Sequence, residues 1–595
     1  MIKVSDFIWK HLADYGIKHV FLVTGGASMH LNDSLKKEKR IEYVCNHHEQ
    51  ACAIAAEGYF RASGNMSVVN VTSGPGGLNT LTGVMGQWTD SVPVLYISGQ
   101  VKQETMMGNE ANFLRIRQLG DQEINIIDIV RPITKYAITI TNVNNIRFEL
   151  EKALDIAISE RPGPVWIDIP LNIQSSFVEE NNLREYKNKI RSSKLISSQL
   201  NEVIKKIKNA KRPLFIAGNG IRISNSKNIF LQLIENLNIP VVTTFNGFDL
   251  LSSDNKNFIG RIGTVGDRAG NFALQNADLI VCFGTRNNIR QISYNGENFA
   301  KNAIKIIVDI DKKELDKQTI KGDILINADV KDFILELQKN LFNFSIDAFW
   351  LNWCLVRKEK FSIKKENHTV VSNSINPYHF INNLTTNLKS NNLVVAGNGT
   401  ACVTLFQVGI VKEYQRMFWN SGCASMGYDL PAAIGACIAT NKSVICITGD
   451  GSLQMNLQEL QTIKHYKLPI KLFILNNQGY HSIVQTQTGF FNKNFIGCNK
   501  DSGVSFPDNK KLADLYGMKY FKISSLKDMK KQIKKILNYD KALLCEVILS
   551  NKYTFIPKLS SEKKEDGSMV SKSLEDMYPF LNRDEFISNI INDHE

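Results

Sequence analysis

Apolar residues in this chain gather into short, β-branched runs that alternate with stretches of helical spacing, and the alternation repeats in three blocks. The first block covers about residues 1–175, with strands predicted near HVFLV, SVVNV, VPVLYIS and VWIDIP, the last after the turn Arg161-Pro162-Gly163-Pro164. A polar, lysine-rich connection (Glu179 to Ser198) leads into a second block over about 190–340, with runs PLFIAG, PVVTT, LIVCFG and KIIVDID. Leu341 to Asn376 reads as a charged helical linker. The third block, about 377–549, runs from LVVAGNG through CITGDG and LFILNN to LLCEVIL. Such alternation predicts an α/β protein of three doubly wound, parallel-sheet domains. Residues 550–595 form a polar tail, but Met577, Tyr578, Phe580 and Leu581 make it too apolar to be disordered throughout. It is expected to pack as an arm over the active site.

Composition narrows the class. A length of 595 residues suits about three domains, and 43% hydrophobic with 22% charged residues is a globular balance. The opening MIKVSDFIWKHLADYG is an amphipathic helix pattern without a signal-peptide core, and no apolar run reaches membrane-spanning length, so a cytoplasmic enzyme with no membrane partner is expected. The ten cysteines lack metal-like spacing, and several lie in apolar runs, which predicts reduced, packed thiols. The net charge of +13 comes from lysines interspersed with acids and asparagines; with no basic stripe, nucleic acid is not the expected partner, although anionic substrates would feel a favourable field.

The chemistry concentrates between Gly449 and Asn477. There the strand VICIT breaks at Gly449-Asp450-Gly451-Ser452, Leu453, Leu457, Leu460 and Ile463 recur at helical spacing, and a second strand stops at Asn476-Asn477. The resulting parallel βαβ unit places one carboxylate and one amide oxygen on the same sheet edge. Mg²⁺ takes six oxygens, and Asp450, Asn477 and the carbonyl of Gly479 with two phosphate oxygens leave room for one water. GDG alone would read as a turn, and NN alone as a strand end. In this order they resemble the thiamine-diphosphate motif of 2-keto-acid decarboxylases and carboligases.

That resemblance extends to the first block. His48 to Gly64 resembles the family's HEQ-containing helix, whose glutamate, here Glu49, hydrogen-bonds N1′ of the aminopyrimidine. The resemblance implies that Glu49 acts as acid and base at a distance, because protonation at N1′ favours the 4′-imino form that takes the thiazolium C2 proton. TSGPGG, with Pro75, resembles a pocket-lining loop. DSVPVLYISGQV resembles acetolactate synthases and makes Gln100 a candidate hydrogen-bond donor; Gly26, within Gly25-Gly26-Ala27, would bring backbone amides near the reacting carbon. SGCASMGYDLPAAIGA resembles the segment that bends the cofactor, with Met426 as the wedge, Ser425 beside it, and Ala424 where a glycine often stands. A homodimer or homotetramer with active sites between subunits is implied, Glu49 of one chain facing the diphosphate site of another.

Further segments resemble the acetolactate-synthase branch over nearly all of residues 1 to 550. DIVRPITKYA places Arg131 near a flavin and Lys135 near the active site by that resemblance. GTRNNIR keeps Arg286 and Arg290 but has Asn287, Asn288 and Ile289 where the branch has Phe-Asp-Asp. Asp309, Asp329, Gly218 and Gly220 complete a set that implies FAD in the middle domain, while Arg261-Ile262 departs from the branch's Met-His pair. In the acceptor pocket, GYHSIVQTQ brings His481 and puts Thr486 in place of a tryptophan, which widens the site or makes it more polar. The ending DGSMVSKSLEDMYPFLNRDEF resembles carboligases of nucleotide-sugar pathways. The expected activity is decarboxylation of pyruvate and transfer of an acetyl unit to a keto-sugar nucleotide or a second 2-keto acid. The alternatives are a flavin-dependent pyruvate oxidase, a simple 2-keto-acid decarboxylase and a non-catalytic cofactor-binding subunit.

Overall fold

Each predicted block builds a six-stranded parallel sheet in the computed structural model, which describes residues 1–107, 116–187, 197–366, 368, 374–563 and 569–591. Across the first sheet the strands lie in the order Glu42–Cys45, His19–Leu22, Val68–Val71, Leu95–Gln100, Val165–Pro170 and Tyr136–Thr139. Across the third they are Arg416–Phe418, Leu393–Ala396, Val444–Gly449, Ile470–Asn476, Leu543–Ile548 and Lys519–Ile523. These two orders are the same relative to the chain. The central sheet differs, running Phe258–Arg261, Val241–Thr243, Pro213–Ala217, Leu279–Phe283, Ile304–Asp309 and Ile324–Asn327, the doubly wound order of dinucleotide-binding folds.

Every inner strand coincides with a predicted run, and of the edge strands only Ile324–Asn327, the run before Asp329, does. Inner strands such as Val68–Val71 and Leu393–Ala396 are buried throughout. Edge strands carry a weaker signal: Glu42–Cys45 exposes both its ends, and Tyr136–Thr139 is half-buried along its length. Two further expectations are corrected. The segment after Gly449 is not one helix but two, Asp450–Gln454 and Glu459–His465, separated by a turn. The stretch after Leu341 is not a free linker either: its helix Ala348–Lys360 buries Trp350, Leu351 and Cys354 in the central core. Parts of that stretch, residues 367 and 369–373, and residues 188–196 of the first connection lie outside the described residues.

The tail packs as an arm, on the central domain. Asn271 Nδ2 donates to the Leu574 carbonyl, Arg268 Nη1 to that of Met577 and Asn276 Nδ2 to that of Asn589, while Leu574 joins the central core. From Leu574 onward the arm thus docks here, whereas only its start, at Tyr553, reaches the strand end that carries Asn477. Asp566, Gly567 and Ser568, the first three residues of the quoted ending, lie outside the described residues. All ten cysteines are free, and eight of them are buried. Among the described residues, no helix is long and apolar enough to cross a membrane.

One helix pair joins the outer domains. Helix Glu49–Ser63 presents Ala55 and Gly58 to helix Asp429–Thr440, and the two backbones nearly touch. A Cβ on Gly58 would sit 2.1 Å from the Ala432 carbonyl oxygen, and one on Gly435 would sit 1.8 Å from that of Ala55. Only hydrogen fits there. Overpacking of this kind costs about 1–3 kcal/mol or more, so Gly435→Ala is expected to lower the thermal unfolding midpoint clearly. A melt indistinguishable from that of the parent chain would contradict so close an approach.

Candidate active site

The two ends of the diphosphate motif meet. Asp450 Oδ1 accepts from the Gly451 amide at 2.8 Å, and its Oδ2 accepts from the Asn477 amide at 3.1 Å. Burial pushes the Asp450 carboxyl up to about 6, against the pull of the Gly451, Asn477, Gln478 and Gly479 amides. Asn477 Oδ1 is buried with no hydrogen-bond partner, while its Nδ2 donates to the Tyr553 hydroxyl at 3.2 Å. A buried carboxylate beside an orphaned amide oxygen is a donor set suited to a hard divalent cation. The residues therefore fit magnesium. Among the described residues no cluster of three or more His, Cys, Asp or Glu side chains offers an alternative metal site.

The flanking glycines have different reasons. A Cβ on Gly449 would meet nothing within 4 Å, as a strand end open to a ligand requires, whereas one on Gly451 would fall 2.0 Å from the Tyr480 ring. Gly451 thus makes room for an aromatic side chain. Ser452 Oγ donates to Asp429 at 2.7 Å and accepts from the Gly427 amide, which anchors the loop carrying Ala424, Ser425 and Met426. Met426 is half-buried, Ser425 Oγ is buried without a partner, and Ala424 has φ +54°. Alanine there adopts the left-handed conformation that glycine favours, at a cost of about 1–2 kcal/mol. Gly479 packs against the Cys498 carbonyl.

The pyrimidine half forms at the start of helix Glu49–Ser63. His48 caps this helix by accepting from the Gln50 amide, and Glu49 Oε2 accepts from Asn79 Nδ2 at 3.0 Å. Gly25 packs on Thr72, whose Oγ1 accepts from the Ala27 amide at 3.2 Å, while the Gly26 α-carbon faces open space. Gly74, with φ +61°, turns the chain into Pro75 at the first position of a short helix, and Gly76 comes within van der Waals range of Glu49. Glu49, Gly26, Thr72 and Pro75 are thereby gathered on one sheet edge. Gln50 Oε1 accepts from Asn456 Nδ2 at 3.0 Å, which ties the start of this helix to the turn after helix Asp450–Gln454 of the same chain.

Other expected site residues are engaged elsewhere. Gln100 is buried, and its carboxamide is used up: Nε2 donates to the Ile124 carbonyl and to Asp168, while Oε1 accepts from the Val101 amide. Lys135 Nζ donates to the Ile156 and Ser159 carbonyls at the end of helix Ile146–Ile158, away from Glu49. Arg131 is exposed and pairs with Asp128. His481 is buried with Nε2 2.9 Å from the Tyr553 carbonyl and its ring 4.1 Å from that of Tyr553; burial lowers its pKa, so it acts as a neutral donor. Thr486 stands on the exposed face of helix His481–Phe490 and donates to the Ser482 carbonyl.

A separate cavity lies at the switch point of the central sheet, beyond strands Pro213–Ala217 and Leu279–Phe283. Gly220, Arg286, Arg290, Asp309 and Asp329 line it, and Gly218 packs behind against the Gly284 carbonyl. Arginines for a pyrophosphate and strand-end acids for ribose hydroxyls fit a dinucleotide, FAD included. Arg131 is not among the lining residues. Arg161 and Asp90 of the first domain are, the former tied to Asp311 at 2.9 Å and Glu314 at 2.8 Å. Neither was expected from sequence. Arg161 stood in the quoted turn, but only folding shows that it reaches the neighbouring domain. Arg261 points away from the cavity and binds the Gln407 and Gly409 carbonyls, while Ile262 lines it.

Three parallel sheets with a carboxylate–amide pair at one strand edge and a helix-start glutamate at another define the class of thiamine-diphosphate folds. Comparison with known proteins agrees. Residues 2–124, 200–337 and 397–547 match the N-terminal TPP binding, central and C-terminal TPP binding domains of the thiamine pyrophosphate enzymes. The acetolactate synthase large subunit of Lactococcus lactis is 32% identical over 573 residues, covering 94% of this chain and 95% of that protein. That of Buchnera aphidicola (Acyrthosiphon pisum) is 32% identical over 86% of this chain and 88% of its own length, and chloroplastic acetolactate synthase 2 of Nicotiana tabacum 31% over 94% and 84%. The chain belongs to the thiamine pyrophosphate enzyme family, in the branch of the acetolactate synthase large subunits, and is a thiamine-diphosphate-dependent enzyme.

Beneath Gln100 lies an acid that sequence reading passed over. Asp168, fully buried, accepts from Ser98 Oγ at 2.5 Å, Gln100 Nε2 at 3.1 Å and Thr139 Oγ1 at 3.3 Å, and burial pushes its carboxyl from 3.8 up to about 7. Because the fold holds the proton, the stability it contributes is complete below the unfolded value and is lost as pH rises through about 7. Thermal melts from acid to neutral pH are expected to show this loss in the parent chain and a flatter profile in Asp168→Asn. Parallel profiles would exclude the buried acid as the cause.

Proposed function

We propose that the enzyme is a magnesium-dependent carboligase that decarboxylates pyruvate and transfers the two-carbon acetyl unit to a carbonyl acceptor. The reading is carried by two donor sets: Glu49 held by Asn79 on one sheet edge, and Asp450 with the orphaned Asn477 Oδ1 on another. The relatives named above are acetolactate synthases, which supports pyruvate as the donor. Thiamine diphosphate, when bound, supplies the thiazolium carbon that adds to the keto acid and carries the two-carbon unit. Glu49 holds the proton at the aminopyrimidine N1′, and Asn79 fixes the direction of its carboxylate. Asp450, Asn477 and the carbonyl of Gly479 hold the cation; Ala424, Ser425 and Met426 seat the pyrimidine.

As functional units we take residues 1–175 for the pyrimidine, 377–549 for the diphosphate and 190–340 for FAD, with helix Ala348–Lys360 belonging to the central unit and 550–595 to the arm. Two chains would share each site, Glu49 from one and Asp450 from the other. A second reading of the acceptor, a keto-sugar nucleotide, rests on Thr486, a small exposed side chain where the resembling enzymes carry an indole.

Glu49→Gln is expected to lower turnover of pyruvate by about 10²–10⁴ while leaving magnesium binding intact; retained turnover would remove Glu49 from its role. Mixed dimers of Glu49→Gln with Asp450→Ala should regain activity, because one of the two shared sites is then whole, and no recovery would place each site within one chain. Mass spectrometry of products from pyruvate, alone and with carbonyl acceptors, separates the acceptors: rapid acetolactate formation without an added acceptor counts against the sugar reading. A bound flavin that stays oxidised through turnover would exclude the oxidase.

A further inference from the structure

We propose that Tyr553 is a positioning residue for the metal ligand Asn477, and that the start of the C-terminal arm thereby forms part of the cation site. The proposal rests on the metal reading of Asp450 and Asn477. An asparagine side chain can present either its oxygen or its NH₂ to a site, and beside a carboxylate the NH₂ end is attracted to the anion. Asn477 lies beside Asp450, whose Oδ2 already accepts the Asn477 backbone amide. Something must hold the carboxamide with its oxygen toward the cation.

Tyr553 does this from the opposite side. Its hydroxyl oxygen accepts from Asn477 Nδ2 at 3.2 Å and lies 2.7 Å from Thr400 Oγ1. With the amide hydrogen donated to the Tyr553 oxygen, the hydroxyl hydrogen is available to Thr400, giving a chain from Asn477 through Tyr553 to Thr400 that leaves Asn477 Oδ1 alone without a partner. The phenol is itself held firmly. It is buried, its ring is 4.1 Å from that of His481, and His481 Nε2 donates to the Tyr553 carbonyl at 2.9 Å. His481, expected in the acceptor pocket, instead anchors this tyrosine. Thr400 opens the helix Thr400–Val408, directly after strand Leu393–Ala396 and its glycine-containing turn, so the brace spans the sheet edge from the first strand to the arm.

Outer-shell partners that orient a metal ligand typically affect metal affinity by about 10–100-fold. The test is Mn²⁺ binding, followed by electron paramagnetic resonance of the free ion in the full-length apoprotein supplied with saturating thiamine diphosphate, alongside thermal melts without metal. Tyr553→Phe, which removes only the hydroxyl, is expected to weaken Mn²⁺ binding about tenfold while its metal-free melt keeps a single cooperative transition. Thr400→Val releases the same chain from its far end and is expected to weaken binding in the same direction; it decides the matter if Tyr553→Phe does not fold. Unchanged Mn²⁺ affinity in a folded variant overturns the positioning role. Asp450→Ala is the control: if it too binds Mn²⁺ like the parent chain, the metal reading itself fails, whereas its loss of binding with Tyr553→Phe unaffected rejects the brace alone.

Discussion

A buried charge cluster sits where all three domains meet, and the remaining geometry is built around it. Arg61 donates to Glu57 at 2.8 Å and to Asp90 at 2.7 Å, and the three side chains are at most 4% exposed. Asp90 also accepts from Asn246 of the central domain and from the backbone amides of Ser421 and Gly422 of the third. Burial pushes the Glu57 carboxyl up to about 6, whereas its two acids drive the Arg61 guanidinium further toward the charged form. Breaking such a group by removing one member leaves a buried charge uncompensated, at a cost of about 3–5 kcal/mol. The cluster therefore holds the domains in one register.

That register places the chemistry. Glu57 and Arg61 lie on the same helix as Glu49, the helix whose Ala55 and Gly58 touch Asp429–Thr440. Locking one end of this helix to Asp90 and its middle to Ala432 leaves its first turn beside Asn456 and the diphosphate loop. Asp90 also reaches the rim of the central cavity, where Arg286 approaches it at 3.8 Å. A single acid thus belongs to the domain junction and to the wall of the nucleotide-like cavity, while Arg161 of the first domain, paired with Asp311 and Glu314 of the central one, lines the same cavity.

Legibility in the sequence followed burial, except at edge strand Phe258–Arg261, which is buried throughout and was not read. Inner strands, buried on both faces, appear as unbroken apolar runs, and all of them were readable; edge strands such as Glu42–Cys45 and Lys519–Ile523 mix exposed and buried positions and were not. The site divided in a similar way. Asp450, Asn477 and Glu49 stand in contiguous motifs whose order along the chain reflects local βα geometry. Gln100 and Lys135 matched motifs equally well, and His481 stood beside one, yet their polar atoms are spent on Asp168, on a helix end and on the Tyr553 carbonyl. A motif specifies the residue type at a strand end but not the competing acceptor that another segment brings to it.

The sequence by itself determined the three-block α/β plan and the carboxylate–amide pair, because these depend on periodicity and on short spacings that survive without tertiary context. Tertiary structure alone decided which polar atoms remain unpaired. Asn477 Oδ1 stays free because Tyr553, 76 residues away, takes the other end of its amide. Tyr553 in turn belongs to a segment whose continuation docks on the central domain through Arg268, Asn271 and Asn276 rather than over the site. Contacts at such separations depend on how whole domains pack, and no local pattern of apolar and polar residues encodes them.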